Sequence, residues 1–209
     1  MPTPVNVAVI YYSATGTVHA LAEAAAEEAA SVEGAEVRLR RVSELAPPDA
    51  IAANEEWAAN SEATNHILEA TMDDLEWADA LMFGTPTRYG LPTSQLKQFI
   101  DQSGPLWQAG KLVNKVASSF TASATPHGGQ ETTIVALNNT FYHWGCVIVS
   151  PAYAEPNQFA AGNPYGASHV SDQEHPMPGK TQLDSMRLQA RRTATVAQAL
   201  LRGGLGGGG

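Results

Sequence analysis

The sequence predicts an α/β fold, a five-stranded parallel sheet with helices on both faces. Three observations carry this. Short runs of β-branched and apolar residues alternate five times with segments whose apolar residues recur at helical spacing, the pattern of βαβ units. The first run, residues 5–12, is apolar almost throughout, as a strand buried on both faces should be. Turns rich in glycine, proline and hydroxyl groups follow the first, third and fourth runs, at the strand ends where open parallel sheets hold their ligands.

Each element follows in order. After the first strand, Val18, Leu21, Ala22 and Ala25 mark a helix, and Gly34 ends that region. Residues 37–42 alternate polar and apolar, which predicts a half-exposed strand near a sheet edge. Residues 43–70 are broken by Pro47-Pro48 and carry short helical pieces around Trp57. Thr71 and Asp74 have capping-box spacing at the head of a short helix. The run Ala80-Leu81-Met82-Phe83 is a third strand, stopped by Gly84 and Pro86. Leu96, Phe99 and Ile100 mark a helix closed near Gly104-Pro105. Residues 115–120 form a fourth strand, and Ile134, Leu137 and Phe141 the next helix. Residues 146–149 form the fifth strand. A long polar segment, residues 151–179, is read as a loop with a functional role or without order. The last helix opens on a second capping-box pattern, Thr181 and Asp184, and its apolar face is Leu183, Met186, Ala190, Ala194 and Ala197.

The bulk composition narrows the function. A chain of 209 residues suits one domain, residues 1–201, with 202–209 as a flexible glycine-rich tail. The net charge of -9 repels nucleic-acid phosphates and anionic membranes, so neither is expected as a partner. No stretch is long and apolar enough to span a bilayer, and no secretion signal opens the chain, so the cytoplasm is expected. The single cysteine, Cys146, fits a reducing compartment and precedes an apolar run, as a small core residue would. His169, Asp172, Glu174 and His175 match no zinc spacing, and no metal is expected. Trp57, Trp77 and Trp144 are read as packing residues, and Arg187, Arg191 and Arg192 as a solvated helix face.

Three loops carry the chemistry. Ser13-Ala14-Thr15-Gly16-Thr17-Val18 brings hydroxyls and free backbone N–H groups to a helix start, where the dipole favours an anion. The Walker pattern with its lysine is absent, and so is the G-x-G-x-x-G pattern after the first strand. This is therefore a phosphate loop without lysine or magnesium. Gly84-Thr85-Pro86-Thr87-Arg88-Tyr89-Gly90 has a backbone path restricted by proline and glycine, with an arginine and an aromatic ring to meet a flat ligand. Ser123-Ala124-Thr125-Pro126-His127-Gly128 has glycines beside it that let the backbone approach closely.

These runs, with Gly128-Gly129-Gln130-Glu131-Thr132, His143-Trp144-Gly145 and Asn163-Pro164-Tyr165-Gly166-Ala167, resemble the WrbA-type (tryptophan-repressor-binding-protein) branch of the flavodoxin-like quinone oxidoreductases. The resemblance extends from about residue 5 to residue 201. It implies noncovalent FMN, NADH or NADPH as electron donor, and two-electron reduction of a quinone. It implies that Ser13, Ala14, Thr15, Gly16, Thr17 and Val18 hold the phosphate. Pro86, Thr87, Arg88, Tyr89 and Gly90 would line the flavin, and Ser123, Ala124, Thr125, Pro126, His127 and Gly128 would contact the ring and ribityl chain. His143 would reach the flavin pocket and handle protons, its ordinary pKa lying near neutrality. Trp107 would border the substrate site and, in that family, comes from a neighbouring subunit of a homotetramer. Two departures stand out: Thr15 where many members carry an aromatic residue, and Pro126-His127 in place of smaller residues. One pocket serving both substrates implies ping-pong kinetics. The rival readings are a flavodoxin-type electron carrier, a flavin reductase and a regulatory accessory protein. The two long segments, 43–70 and 151–179, favour an enzyme with a built pocket.

Overall fold

The computed structural model describes residues 3–172 and 176–206. Its elements in order are β1 (Val5–Tyr11), α1 (Thr17–Ala30), β2 (Ala35–Arg41), α2 (Pro48–Ala52), α3 (Glu55–Ala63), α4 (Met72–Trp77), β3 (Ala80–Pro86), α5 (Ser94–Asp101), α6 (Gly104–Gln108), β4 (Val116–Ser123), α7 (Gln130–Trp144), β5 (Val147–Ile148), α8 (Asn157–Ala161), β6 (Ser168–Val170) and α9 (Lys180–Arg202). The sheet runs β2-β1-β3-β4-β5, with β6 also on β4, and every pairing is parallel. Strand order reverses between β1 and β3, so the crevice lies beyond their carboxyl ends.

Alternation along β1 builds two cores. Val5, Val7, Val9 and Tyr11 pack with Leu21, Ala25, Met186, Ala190 and Ala194 on the α1 and α9 side. Ala8, Ile10 and Tyr12 pack with Leu96, Phe99, Leu137, Phe141 and Trp144 on the other. Both sets are almost wholly buried, at roughly 1.5–3 kcal/mol for each large aliphatic side chain removed from water. β2 is a sheet edge and is only half buried, as its alternation predicts.

The segment between β2 and β3 is fastened by one carboxylate. Glu44 accepts hydrogen bonds from the Tyr12 hydroxyl (2.7 Å), the Trp57 indole N–H (3.2 Å), the Gln95 amide (2.7 Å) and the N–H groups of Leu45 (2.8 Å) and Ala46 (2.9 Å). Burial pushes its carboxyl up, but those hydrogen bonds outweigh the burial and hold it below the usual range. At the head of α4, Asp74 accepts from the Thr71 N–H and hydroxyl, as the capping-box spacing predicts, and it also pairs with Arg38 and Arg40. At the tail of α4, the buried Lys115 ammonium donates to the carbonyls of Glu76 and Ala78.

Several expectations are corrected. β3 does not stop at Gly84 but continues to Pro86, because β4 pairs with it as far as Ala122. Gly84 is needed there for space: a Cβ would lie 2.3 Å from Phe120. Gly104-Pro105 opens α6 rather than merely closing a helix, proline being suited to a first turn. The five expected strands are all present in one parallel sheet, and a sixth short strand joins β4 beside the path of the other five. β5 is only two residues long, and β6 emerges from the segment read as a loop. β5 pairs with Val116 and Ala117, and β6 with Thr121 to Ser123, so the two share one flank of β4 with an excursion between them. The last helix is capped by Gly179, not Thr181, and Asp184 turns instead to Lys180 and Arg187. The arginines of α9 are anchored rather than simply solvated: Arg191 pairs with Glu28 and Glu155, and Arg192 donates to the Ser150 carbonyl.

Candidate functional site

At the switch point the three loops converge on a cavity of about 520 Å³, the size of a small-molecule site. Its walls include Ala14, Thr15 and Thr17 from the first loop, Pro86 to Tyr89 from the second, and Ser123, Ala124, Thr125 and Gly128 from the third.

The first loop is a helix N-terminus without a side-chain cap. Gly16 has φ 94°, in the left-handed region, and its N–H donates to the Ser13 hydroxyl at 3.1 Å. The α1 ladder begins only with Ala20 N–H to Gly16 carbonyl, so the amides of Thr17 and Val18 stand ahead of the first helical bond. Val18 is wholly buried, so only its backbone can serve a ligand. The Asn60 amide donates to the Ser13 carbonyl at 2.9 Å. Asn60 lies on α3, in the segment read as short helical pieces around Trp57, and no local signal points to it.

The second loop is held by its own hydroxyls. The Thr87 hydroxyl accepts from Gly90 N–H (3.1 Å) and from the Thr133 hydroxyl (2.8 Å), and Thr87 N–H donates to the Ala122 carbonyl (2.8 Å). Arg88 and Leu91 exchange backbone hydrogen bonds. Below them Thr121 donates to the Thr85 carbonyl at 2.6 Å inside the core. Tyr89 has φ 55° and a fully exposed ring. A non-glycine residue held there is strained, and such strain collects at functional loops.

In the third loop the Thr125 carbonyl accepts from Ser123 Oγ (2.8 Å) and Gly128 N–H (3.0 Å). A Cβ on Gly129 would lie 2.8 Å from the Gly90 Cα, so the second and third loops touch through two glycines. Ser171, just after β6, donates its N–H to the Ser123 carbonyl at 2.8 Å and lines the cavity. Sequence reading missed Ser171 because β6 was not foreseen. Pro126 and His127 are exposed and are not among the cavity's lining residues.

His143 is not part of this constellation. It sits in the last turn of α7, and at a rise of 1.5 Å per residue that places it roughly 20 Å from the third loop. It lies instead beside Trp107, whose indole N–H donates to the His143 carbonyl at 2.9 Å, in a shallow pocket with Ile100, Asp101, Ser103, Gly104 and Trp144. Trp107 is half exposed. Within one chain, then, His143 does not reach the three loops, because the helix carrying it runs away from them.

The remaining candidates are settled locally. His169 is buried with Nε2 2.7 Å from the Pro176 carbonyl. Glu174 and His175 lie outside the described residues. Among the described residues no group of three acidic, histidine or cysteine side chains could hold a metal, and no helix is long and apolar enough to cross a membrane. Cys146 is half buried, its thiol facing the Leu112 carbonyl and pushed up to about 12 by burial. Trp144 is buried in the core, Trp57 is tied to Glu44, and Arg38 stacks 3.9 Å over Trp77.

The site suits a phosphate-bearing flavin. It offers uncapped helix amides and hydroxyls at one end, with close-packed glycines and a proline-bounded slot at the other. Comparison with known proteins agrees. The family profile described as NADPH-dependent FMN reductase matches residues 5–160. An NAD(P)H dehydrogenase (quinone) of Deinococcus radiodurans is 46% identical over 202 residues, covering 96% of this chain and 100% of the relative. Another, of Aromatoleum aromaticum, is 42% identical over 204 residues, covering 95% and 98%. A flavodoxin, WrbA-like protein from Agrobacterium tumefaciens superposes with a TM-score of 0.64 at 27% identity, covering 93% of this chain and 98% of that one. An archaeal flavodoxin, at 14% identity and a TM-score of 0.60, shares the fold.

Proposed function

The chain belongs to the NADPH-dependent FMN reductase family, and from that premise we propose that it is an FMN-dependent NAD(P)H dehydrogenase (quinone). The observation that carries the reading is the convergence of three loops, from β1, β3 and β4, on one cavity at the switch point. FMN, when bound, supplies the acceptance and return of a hydride, and the protein needs no nucleophile of its own.

The chain's residues bind and orient. Ser13 to Val18 hold the phosphate through the uncapped α1 amides and the hydroxyls of Ser13, Thr15 and Thr17. Pro86 to Gly90 and, from the third loop, Ser123, Ala124, Thr125 and Gly128 hold the ring between them, with Pro126 and His127 at the rim. Arg88 and Tyr89 stand at the mouth, where the nicotinamide nucleotide and the quinone enter in turn. One open mouth supports a ping-pong order, the oxidised nucleotide leaving before the quinone binds.

The exposed patch of Trp107 and His143 faces away from its own cavity. We assign it to the mouth of a neighbouring copy's cavity in a homotetramer, where the His143 imidazole delivers or takes protons as the quinone is reduced. The catalytic unit is residues 1–201, with 202–209 an appended tail, and the setting is the cytoplasm, where NADH and NADPH are at hand.

The test is an anaerobic titration of the FMN-loaded protein with NADH or NADPH, followed by benzoquinone. Loss of the flavin's visible absorbance with one equivalent of donor, restored by one equivalent of quinone, is expected. Failure of both nucleotides to reduce the bound flavin would sink the reading and favour an electron carrier served by a protein partner.

A further inference from the structure

Gln130, the first residue of α7, is buried, with 4% of its surface exposed. Its Nε2 donates to the Thr125 carbonyl at 3.1 Å and to the Pro126 carbonyl at 3.2 Å. Its Oε1 accepts nothing and is, among the described residues, the one buried side-chain polar atom without a partner. A buried amide that satisfies one end and orphans the other is a poor choice for stability. A methionine would fill the space without the orphan. The loop would lose nothing essential: residues 124–127 are exposed and their carbonyls can turn to water, while Thr125 keeps Ser123 Oγ and Gly128 N–H. Stability does not explain Gln130, and a site that departs from stability is where function is to be sought.

The geometry points to Gln130 as the positioning residue of the loop after β4: by holding the Thr125 and Pro126 carbonyls on the α7 side it fixes the course of Thr125 and Gly128, which line the cavity, for the flavin. A trans peptide sets its N–H opposite its C=O. No peptide among the described residues is cis. Holding the Pro126 carbonyl on Gln130 therefore turns the His127 N–H to the other side of the loop. With Pro126 itself lacking an N–H, that group is the first donor available after Thr125. Gly128 and Gly129 let the loop close tightly: a Cβ on Gly128 would lie 2.8 Å from the Ser123 Cβ, and one on Gly129 2.8 Å from the Gly90 Cα. This inference deepens the FMN reading and rests on it.

The test compares the wild-type protein with Gln130→Met. A positioning role predicts that Gln130→Met weakens FMN binding tenfold or more, read by fluorescence titration of the apoprotein, while the apoprotein's Tm stays level or rises. Hydrogen exchange at His127 and Gly128 should quicken in the variant apoprotein, a readout that needs no flavin. FMN affinity within twofold of wild type, unchanged exchange in the loop, or a fall in apoprotein Tm that accounts for the weaker binding would each overturn the inference. Wild-type protein that binds no FMN would overturn the functional reading, and the exchange measurement separates that failure from this one. Gln130→Leu, treated in the same way, guards against an effect peculiar to methionine.

Discussion

Single residues decide how closely the loops approach. Gly129 has φ 95°, and a Cβ there would meet the Gly90 Cα at 2.8 Å. An L-residue pays about 1–2 kcal/mol in the left-handed region before any clash. Gly129→Ala should therefore lower Tm and weaken FMN binding by about tenfold, 1.4 kcal/mol being one decade; a fluorescence titration and a melting curve measure both. The glycine pair was legible in the sequence as permissive backbone, but not its contact with Gly90, which comes from a loop about 40 positions away. Cys146 gives a second residue-scale expectation. With its thiol pushed up to about 12, it should react with a disulfide reagent at neutral pH far more slowly in the folded protein than in denaturant. Labelling as fast as in the unfolded chain would contradict the burial.

At the scale of elements, Glu44 fastens β1, α3 and α5 to one another through Tyr12, Trp57 and Gln95. Its carboxyl is held below the ordinary value of 4.5. A lowered folded pKa means a contribution complete above the unfolded value and lost as pH falls through the folded one. The difference in Tm between wild type and Glu44→Gln should thus be steady from neutrality down to about pH 4.5 and shrink below it. Thermal melts across that range check it, and a difference that grows in acid would refute it. Sequence periodicity found α1, α5, α7 and α9, whose apolar stripes are long. It missed α6, β6 and the true start of α9, because a three-residue strand and a glycine cap carry almost no local signal. β6 forms because β4 offers an open flank beyond Ala117, which is a property of the sheet.

At the scale of the molecule, Trp107 and His143 lie at the opposite end of α7 from the three loops that line the cavity. In the proposed tetramer they serve the cavity of a neighbouring copy. Trp107→Ala should then raise the KM for benzoquinone several-fold with FMN affinity in dilute solution unchanged. Sedimentation velocity should give a tetramer for the wild type. A monomer with full activity would contradict the assignment. The net charge of -9 is concentrated in the first part of the chain: residues 1–80 hold 15 of the 21 acidic side chains and three of the 12 basic ones.

The sequence by itself determined the order of elements, the two-faced burial of β1 and the chemistry at three strand ends. Those follow from apolar periodicity and from loop residues adjacent in the chain. Tertiary structure alone decided what meets what. It brought Asn60 and Ser171 to the site, set Gln130 on the carbonyls of the loop after β4, and carried His143 away from its own cavity. Hydrogen bonds that close over long stretches of chain depend on how elements pack, and packing leaves no periodic trace in the residues that make them.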